Sequence, residues 1–109
     1  SWVFQFEYEN ANPTPEMEQV FQEIIDKTAS EDQLILEGHT CSLGSEHYNL
    51  GLSRRRVETV KSALITRGVS STRIKSSFFG ETAPAYPNDN EIGRAHNRRV
   101  SVTIVRQKN

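Results

Sequence analysis

The pattern of apolar and polar residues along the chain predicts four strands. Four segments carry the β-branched, aromatic or alternating residues that are typical of strands: Val3–Tyr8, Leu34–Leu36, Ile74–Phe79 and Arg99–Val105. In the last segment, Val100, Val102 and Ile104 alternate with polar residues. This alternation predicts a strand with one buried face.

Two other segments have the apolar spacing of amphipathic helices. Thr14, Pro15 and Glu16 form a typical helix start, with a capping hydroxyl, a proline at the first helical position and an acid in the first turn. The apolar residues that follow at helical spacing are Met17, Val20, Phe21, Ile24 and Ile25. A second helix is predicted from about Glu46 to Arg67. Its inward residues are Tyr48, Leu52, Val57, Val60 and Leu64.

The resulting order is β-α-β-α-β-loop-β, so the regular elements follow as β-α-β-α-β-β. We assign the fold to the α/β (α+β) class, with two helices packed on one face of a small mixed sheet. Residues Gly80–Asn97 are polar and contain two prolines, and we predict a long loop there. This loop is longer than a simple connection needs, which favours a functional role.

The length and the net charge of the chain exclude several classes of protein. A chain of 109 residues fits one domain, and we expect residues 1–109 to be a single domain taken from a longer protein. The net charge of −1 gives no reason to expect a nucleic-acid partner. No apolar run approaches the length of a membrane span. Cys41 is the single cysteine, so an internal disulfide is excluded.

The second predicted helix carries the first candidate site. Asn49 and Arg56 are seven residues apart, which puts them on one side of a helix, two turns and roughly 10 Å apart. We include Leu52, which lies between them, in this candidate site. An alternative is that Arg56 belongs to a solvated run with Arg54 and Arg55. The segment Gly38–Gly44 leads from a strand end to a helix start, where backbone N–H groups suit an anion.

Catalytic and metal-binding alternatives have weaker support. His39 and Cys41 are two residues apart and could form a thiol–imidazole pair, but no third group that would orient the imidazole is evident. His47 could join them around a metal ion, but the paired-ligand spacing of metal sites is missing. The acids are scattered, so paired carboxylates for hydrolysis are not indicated. We therefore expect no enzyme activity, no metal and no cofactor.

The spacing of several motifs resembles the OmpA-like (OmpA/MotB/Pal) C-terminal domain. The family pattern reads roughly GHTDxxGxxxYNxxLSxxRAxxVxxxL, and this chain has GHTCSLG at Gly38–Gly44, YN at Tyr48–Asn49 and LSRRR at Leu52–Arg56. The GE-x-x-P and NRRV elements of the family match Gly80–Pro84 and Asn97–Val100. The resemblance therefore covers nearly the whole chain.

The resemblance implies a domain in the periplasm of Gram-negative bacteria that binds peptidoglycan non-covalently through the diaminopimelate of the stem peptide. Arg56 matches the family arginine that holds a carboxylate of the ligand. Asn49 and Thr40 match residues beside the pocket. Arg99, or its neighbour Arg98, is expected to approach the same pocket. The parent protein would be attached to the outer or inner membrane.

Cys41 departs from the family pattern, which has an aspartate that holds the ligand's amino group. Thiols are largely neutral at neutral pH and accept hydrogen bonds poorly. Loss of one charge-assisted contact costs roughly 1.5–3 kcal/mol, or about ten- to hundredfold in affinity. Glu9, Glu37 or Glu46 could supply the missing charge.

Two hypotheses therefore remain. The chain is a peptidoglycan anchor in which Arg56, Asn49 and the loop backbone still hold the stem peptide. Alternatively, it is an interaction module that has lost the wall ligand and docks a protein partner or forms a homodimer, with Cys41 available for a disulfide between chains.

Overall fold

The computed structural model describes residues 1–106. Within this range the strands are β1 (Trp2–Gln5), β2 (Gln33–Gly38), β3 (Ile74–Phe78) and β4 (Arg99–Val105), and the helices are α1 (Met17–Lys27), α2 (Glu46–Thr66) and α3 (Glu91–Asn97). One turn of 3₁₀ helix, Ser71–Arg73, precedes β3. The predicted order of strands and of the two long helices is confirmed.

The four strands form one mixed sheet in the order β1-β4-β2-β3. Strand β4 pairs antiparallel with both β1 and β2, whereas β2 and β3 are parallel. Parallel neighbours need a crossover connection, and α2 provides it. The predicted small mixed sheet is therefore confirmed.

One face of the sheet is buried beneath both long helices. Paired residues share a face, and the pairs Phe4–Val100 and Leu36–Val102 are fully or almost fully buried. Residues of α1 and α2 pack against this face in a single apolar cluster, which includes Phe21, Ile24, Val57, Val60 and Leu64. The next residues along the strands lie on the opposite face and are more exposed.

Gly38 sets how closely α2 approaches the sheet. A Cβ atom at this position would lie 2.5 Å from the Ser53 carbonyl oxygen and 2.5 Å from a methyl carbon of Val57. These separations are too short for any side chain. Only glycine therefore lets the end of β2 pass directly beneath the middle of α2.

Several element boundaries differ from the predictions. Strand β1 ends at Gln5 instead of Tyr8. Helix α1 begins at Met17, because residues 14–16 form a turn in which the Thr14 carbonyl accepts from the Met17 amide, and the cap residue Glu16 makes no side-chain capping bond.

The predicted loop over Gly80–Asn97 was wrong for its last seven residues, which form α3. Asn90 caps this helix, because its side-chain oxygen accepts from the Gly93 amide at 2.8 Å. The helix is only two turns long and contains a glycine, so its sequence carries little periodic signal.

Candidate functional site

The connection between β2 and α2 is held in place from both sides. The His39 amide donates to the Arg99 carbonyl, and the Thr40 amide donates to the Gly80 carbonyl, each at 2.8 Å. Ser45 caps α2 by accepting from the Tyr48 amide at 3.1 Å. These contacts fix residues 39–45 above the start of α2.

The side chain of Asn49 holds this connection in place through hydrogen bonds. Its side-chain nitrogen lies 3.3 Å from the Cys41 carbonyl, 3.0 Å from the Leu43 carbonyl and 3.1 Å from a Glu81 carboxylate oxygen. A buried amide with several oxygen partners orders the loop backbone. The position of Asn49 therefore indicates that it shapes the site.

Arg56 is fully buried, with 0% of its surface exposed, and within residues 1–106 it bonds only to backbone carbonyls. Its Nε donates to Asn10 at 2.9 Å, while Nη1 and Nη2 donate to His39 and Glu7 at 3.0 Å each. Burial lowers the pKa of Arg56 to about 10. The alternative of a solvated arginine run is wrong for Arg56, although it describes the exposed Arg54 and Arg55.

Arg98 is a second buried guanidinium, with 6% of its surface exposed. Its Nε donates to the Phe6 carbonyl at 3.0 Å, and its Nη2 donates to a carboxylate oxygen of Glu91 at 2.9 Å. Burial acts to lower the pKa of Arg98, but the Glu91 carboxylate and the neighbouring Cys41 outweigh it, and the pKa is raised. Its Nη1 has no hydrogen-bond partner among residues 1–106.

Cys41 is a free thiol that exposes 2% of its surface and lies beside both guanidinium groups. The hydroxyl of Thr40, also 2% exposed, has no hydrogen-bond partner in the described part of the chain. Glu91 pairs with Arg98 but keeps 63% of its side chain exposed. Two buried cations therefore lie near the Cys41 thiol, and Thr40, the residue before it in the chain, has an unpartnered hydroxyl among residues 1–106.

The predicted site residues fall into two groups. Thr40, Cys41, Asn49 and Arg56 come together beneath the β2–α2 connection, and Leu52 is buried on the same helix.

Arg99 lies apart from this group. It is half-buried on β4, and its guanidinium nitrogens lie 3.5 Å from the Ala83 carbonyl and from an Asn97 side-chain oxygen. Its neighbour Arg98, weighed as the alternative from the sequence, is the arginine that adjoins Cys41.

The acid that bonds to one of the two arginines is not among the acids that the sequence suggested as substitutes for the family aspartate. Glu91 bonds Arg98, whereas Glu37 lies near Ser101 and Arg99, and Glu9 bonds Tyr8. The sequence missed Glu91 because it belongs to the unpredicted helix α3.

The ring of His39 packs against an aromatic side chain. Its ring stacks on Phe79 with centroids 5.2 Å apart, and burial, aided by the charge of Arg99, lowers its pKa to about 4. The imidazole is therefore neutral at neutral pH. No hydrogen bond joins His39 to Cys41 within residues 1–106, so the geometry gives the thiol–imidazole alternative no support.

Two exposed tyrosines border the site at the surface. The pKa of Tyr8 is raised by its hydrogen bond with Glu9, then by partial desolvation and by the nearby Cys41 and Tyr48. Tyr8 and Tyr48 are both exposed, and Tyr48 also has the Arg55 guanidinium 5.7 Å from its ring centre. The sequence assigned Tyr8 to a strand and so did not indicate this position.

With this geometry established, comparison with known proteins assigns the chain to a family. The model of the OmpA family matches residues 5–98. The chain belongs to the OmpA family.

Relatives of the OmpA family include Outer membrane protein A of Bordetella avium, 34% identical over 102 residues, which are 92% of this chain and 53% of that protein. The Peptidoglycan-associated lipoprotein of Pseudomonas putida is 33% identical over 101 residues, which are 92% of this chain and 61% of that protein. The chain therefore spans little more than half the length of these curated relatives.

A solved OmpA-like fold superposes closely on this one. The crystal structure of the peptidoglycan-associated lipoprotein from Burkholderia pseudomallei matches with a TM-score of 0.89 at 23% identity, covering 94% of this chain and 89% of that one. This likeness confirms the α/β fold assigned from the sequence.

Membership of the OmpA family also provides information on enzyme activity and on cellular location. OmpA-, Pal- and MotB-like domains are structural binding domains and not enzymes, and these relatives support a periplasmic, cell-envelope location. Among residues 1–106, no helix is both long and apolar enough to cross a membrane. The same residues contain no cluster of three or more His, Cys, Asp or Glu side chains that could hold a metal ion.

Proposed function

We propose that this domain binds bacterial peptidoglycan non-covalently through the diaminopimelate of the stem peptide. By this binding it anchors its parent protein to the cell wall. Family membership and the 33% identity to a peptidoglycan-associated lipoprotein support this proposal. The single observation that carries it is the pair of buried guanidinium groups, Arg56 and Arg98, beneath the β2–α2 connection.

The two arginines give the site its affinity for a carboxylate. Guanidinium groups form charge-assisted hydrogen bonds with carboxylates, and these bonds are roughly twice as strong as neutral ones. Arg98 keeps Nη1 without a partner among the described residues, so it can donate without breaking an existing bond. Asn49 holds the loop backbone around this donor. In this proposal Thr40 and Leu52 line the site, and Arg99 supports it from the His39 side.

A ligand must displace some of the residues that bury this site before it can reach the arginines. Thr40, Cys41 and Arg56 each expose 2% or less of their surface. The segment 7–10 supplies two of the carbonyl groups that bind Arg56, and Glu9 in this segment has a φ of 55°. A non-glycine residue in this region is strained. Release of this turn is therefore the route that we propose for ligand entry.

Retention on purified sacculi tests the proposal. The wild-type domain and Arg54→Ala should be retained, because Arg54 is an exposed arginine on the same helix. Arg56→Ala and Arg98→Gln should both be lost from the sacculi. Circular dichroism of each variant separates loss of binding from loss of folding. Equal retention of a folded Arg98→Gln and the wild type would contradict the site.

The extent of the domain is part of the proposal. We propose that residues 1–109 form a single OmpA-like domain of a longer protein, attached through its other parts to the outer or inner membrane. The matched span of residues 5–98 supports this division, as does the greater length of the curated relatives.

A second candidate function is an interaction module that docks a protein partner or forms a homodimer. The exposed apolar side chains of Leu50, on α2, and of Phe78, the last residue of the edge strand β3, favour this candidate. The burial of Cys41 argues against a disulfide between chains as the link. Light scattering with and without reductant tests both points. A monomer under both conditions would contradict the homodimer.

A further inference from the structure

We infer that the site at Cys41 prefers a carboxylate whose neighbouring amine is acylated or absent over a ligand that carries a free ammonium. This inference rests on the proposed function, because it names the form of the stem peptide that the same site would take. It follows from the charges and the hydrogen bonds of the buried residues, taken in turn.

The charge of the site is positive. Arg56 and Arg98 are both buried, and the hydrogen-bond partners of Arg56 in the described part of the chain are all neutral carbonyls. Glu91, the acid bonded to Arg98, is mostly exposed, so solvent weakens its field inside the site. The one buried acid within residues 1–106, Asp32, pairs with Arg106 away from this site. A carboxylate entering here is attracted and an ammonium is repelled.

Hydrogen-bond donors are available to the ligand. Nη1 of Arg98 and the hydroxyl of Thr40 have no partners among the described residues, and both side chains are more than nine-tenths buried. An unpaired buried donor is costly, and a carboxylate oxygen satisfies it. Nη1 of Arg98 can only donate, so the ligand that it fits is an acceptor, and the charge of the guanidinium favours an anion.

Acceptors for an ammonium are scarce by comparison. The carbonyls of Cys41 and Leu43 lie within hydrogen-bond distance of Asn49, and the His39 carbonyl is bonded by Arg56. Asn88 already accepts from the Ser42 amide and from Asn97. The Cys41 thiol is a weak acceptor. The Glu81 carboxylate also lies 3.1 Å from the Asn49 side-chain nitrogen, but it is partly exposed, so solvent weakens its field. An ammonium would therefore lose its water and gain only the Thr40 hydroxyl and this shared, partly exposed carboxylate as acceptors.

Diaminopimelate can meet the site in two chemical forms. In an uncrosslinked stem peptide its side-chain amine is a free ammonium, whereas a crosslink converts that amine into a neutral amide. The carboxylate is present in both. The positive charge of the site and its hydrogen-bond donors favour the acylated form. The domain would therefore bind crosslinked peptidoglycan in preference to uncrosslinked peptidoglycan.

Isothermal titration with two synthetic stem peptides tests the inference. The peptides differ only in the diaminopimelate amine, which is free in one and acetylated in the other. The wild type should bind the acetylated peptide more tightly than the free one. Cys41→Asp restores an acid beside both arginines and should prefer the free amine by roughly tenfold.

Ser45→Asp is the matched control. Ser45 is exposed and caps α2, a role that aspartate also fills, so this variant adds the same charge to the same connection without placing it between the arginines. It should show the wild-type preference. Should Cys41→Asp fail to fold, the wild-type comparison and this control still decide the question.

The outcomes separate this inference from the function on which it rests. Equal or tighter binding of the free-amine peptide by the wild type would overturn the inference and leave peptidoglycan binding intact. Binding to sacculi with no binding to either peptide would also overturn the inference, since the site would not bind the diaminopimelate carboxylate. Failure to bind sacculi and both peptides would overturn the proposed function itself.

Discussion

Leu36 and Arg56 are both buried completely, yet they are held in the interior by opposite means. Leu36 lies in the apolar cluster between the sheet and the two long helices, where removal of apolar surface from water provides the stability. Arg56 lies in a polar interior beneath the β2–α2 connection, where backbone carbonyls surround a charge.

Only one of these two interiors can bind a polar ligand. An apolar core is satisfied by its own packing and has nothing to offer a polar ligand. The polar interior contains two cations, an unpartnered guanidinium nitrogen and an unpartnered hydroxyl among the described residues. Such groups reduce stability, and a suitable anion would satisfy them.

The largest expected effect is in the apolar core. Leu36→Ala leaves a cavity in the middle of the sheet face, and the free energy of unfolding should fall by about 3 kcal/mol. Urea denaturation measures the change. Leu50→Ala, at an exposed position on α2, should change the unfolding free energy by less than about 0.5 kcal/mol. Equal losses in the two variants would contradict the assigned core.

In the polar interior, Arg56→Met should lower the free energy of unfolding by about 2 kcal/mol. The loss of three hydrogen bonds to carbonyls is partly offset, because a buried charge is also removed. Arg56→Lys should not rescue stability, because one ammonium cannot reach carbonyls that a planar guanidinium spans. A lysine variant as stable as the wild type would show that charge alone matters here.

His39 should make stability depend on pH between about 6.5 and 4. Its pKa is about 4 when folded and about 6.5 when unfolded, so the unfolded chain binds more protons in this window and stability falls as the pH is lowered. The contribution of His39 to the unfolding free energy should drop by about 1–2 kcal/mol from pH 7 to pH 5.

His39→Phe, which retains a ring to stack on Phe79, should lose this part of the pH dependence. The difference between the two urea-denaturation profiles isolates His39 from the carboxylates. Parallel profiles for the two proteins would show that the imidazole is not held neutral.

The smallest effect lies outside both interiors. Gly51 is in the middle of α2, and an added Cβ would meet only Arg55 Nη1, at 3.4 Å. Gly51→Ala should therefore raise the free energy of unfolding by about 0.5–1 kcal/mol through helix propensity. Gly38→Ala is the contrasting variant and should destabilise, because its Cβ would clash with the backbone of α2. A stabilising Gly38→Ala would contradict the close packing of α2 on β2.

The two interiors also differ in how far the sequence revealed them. The alternation of Val100, Val102 and Ile104 and the spacing of Val57, Val60 and Leu64 are local signals, and they led to the correct strands, helices and buried face. Apolar periodicity records which side of an element meets the core, so the apolar cluster could be predicted.

The polar interior could be predicted only in part. The motif spacing led to Thr40, Asn49 and Arg56, but Arg54 and Arg55 have the same chemistry as Arg56 and lie beside it in the chain. What sets Arg56 apart is its bonds to carbonyls 46 and 49 residues away, which no local pattern records. Arg98 precedes β4, so the alternation of that strand could not place it.

An NMR titration with a diaminopimelate-containing muropeptide tests whether the polar interior is the binding site. We expect the side-chain Nε–H signals of Arg56 and Arg98 and the backbone amides of residues 40–45 to shift together and to saturate at one affinity. Shifts confined to the surface around Leu50 and Phe78, with both arginine signals unchanged, would contradict a binding site in the polar interior.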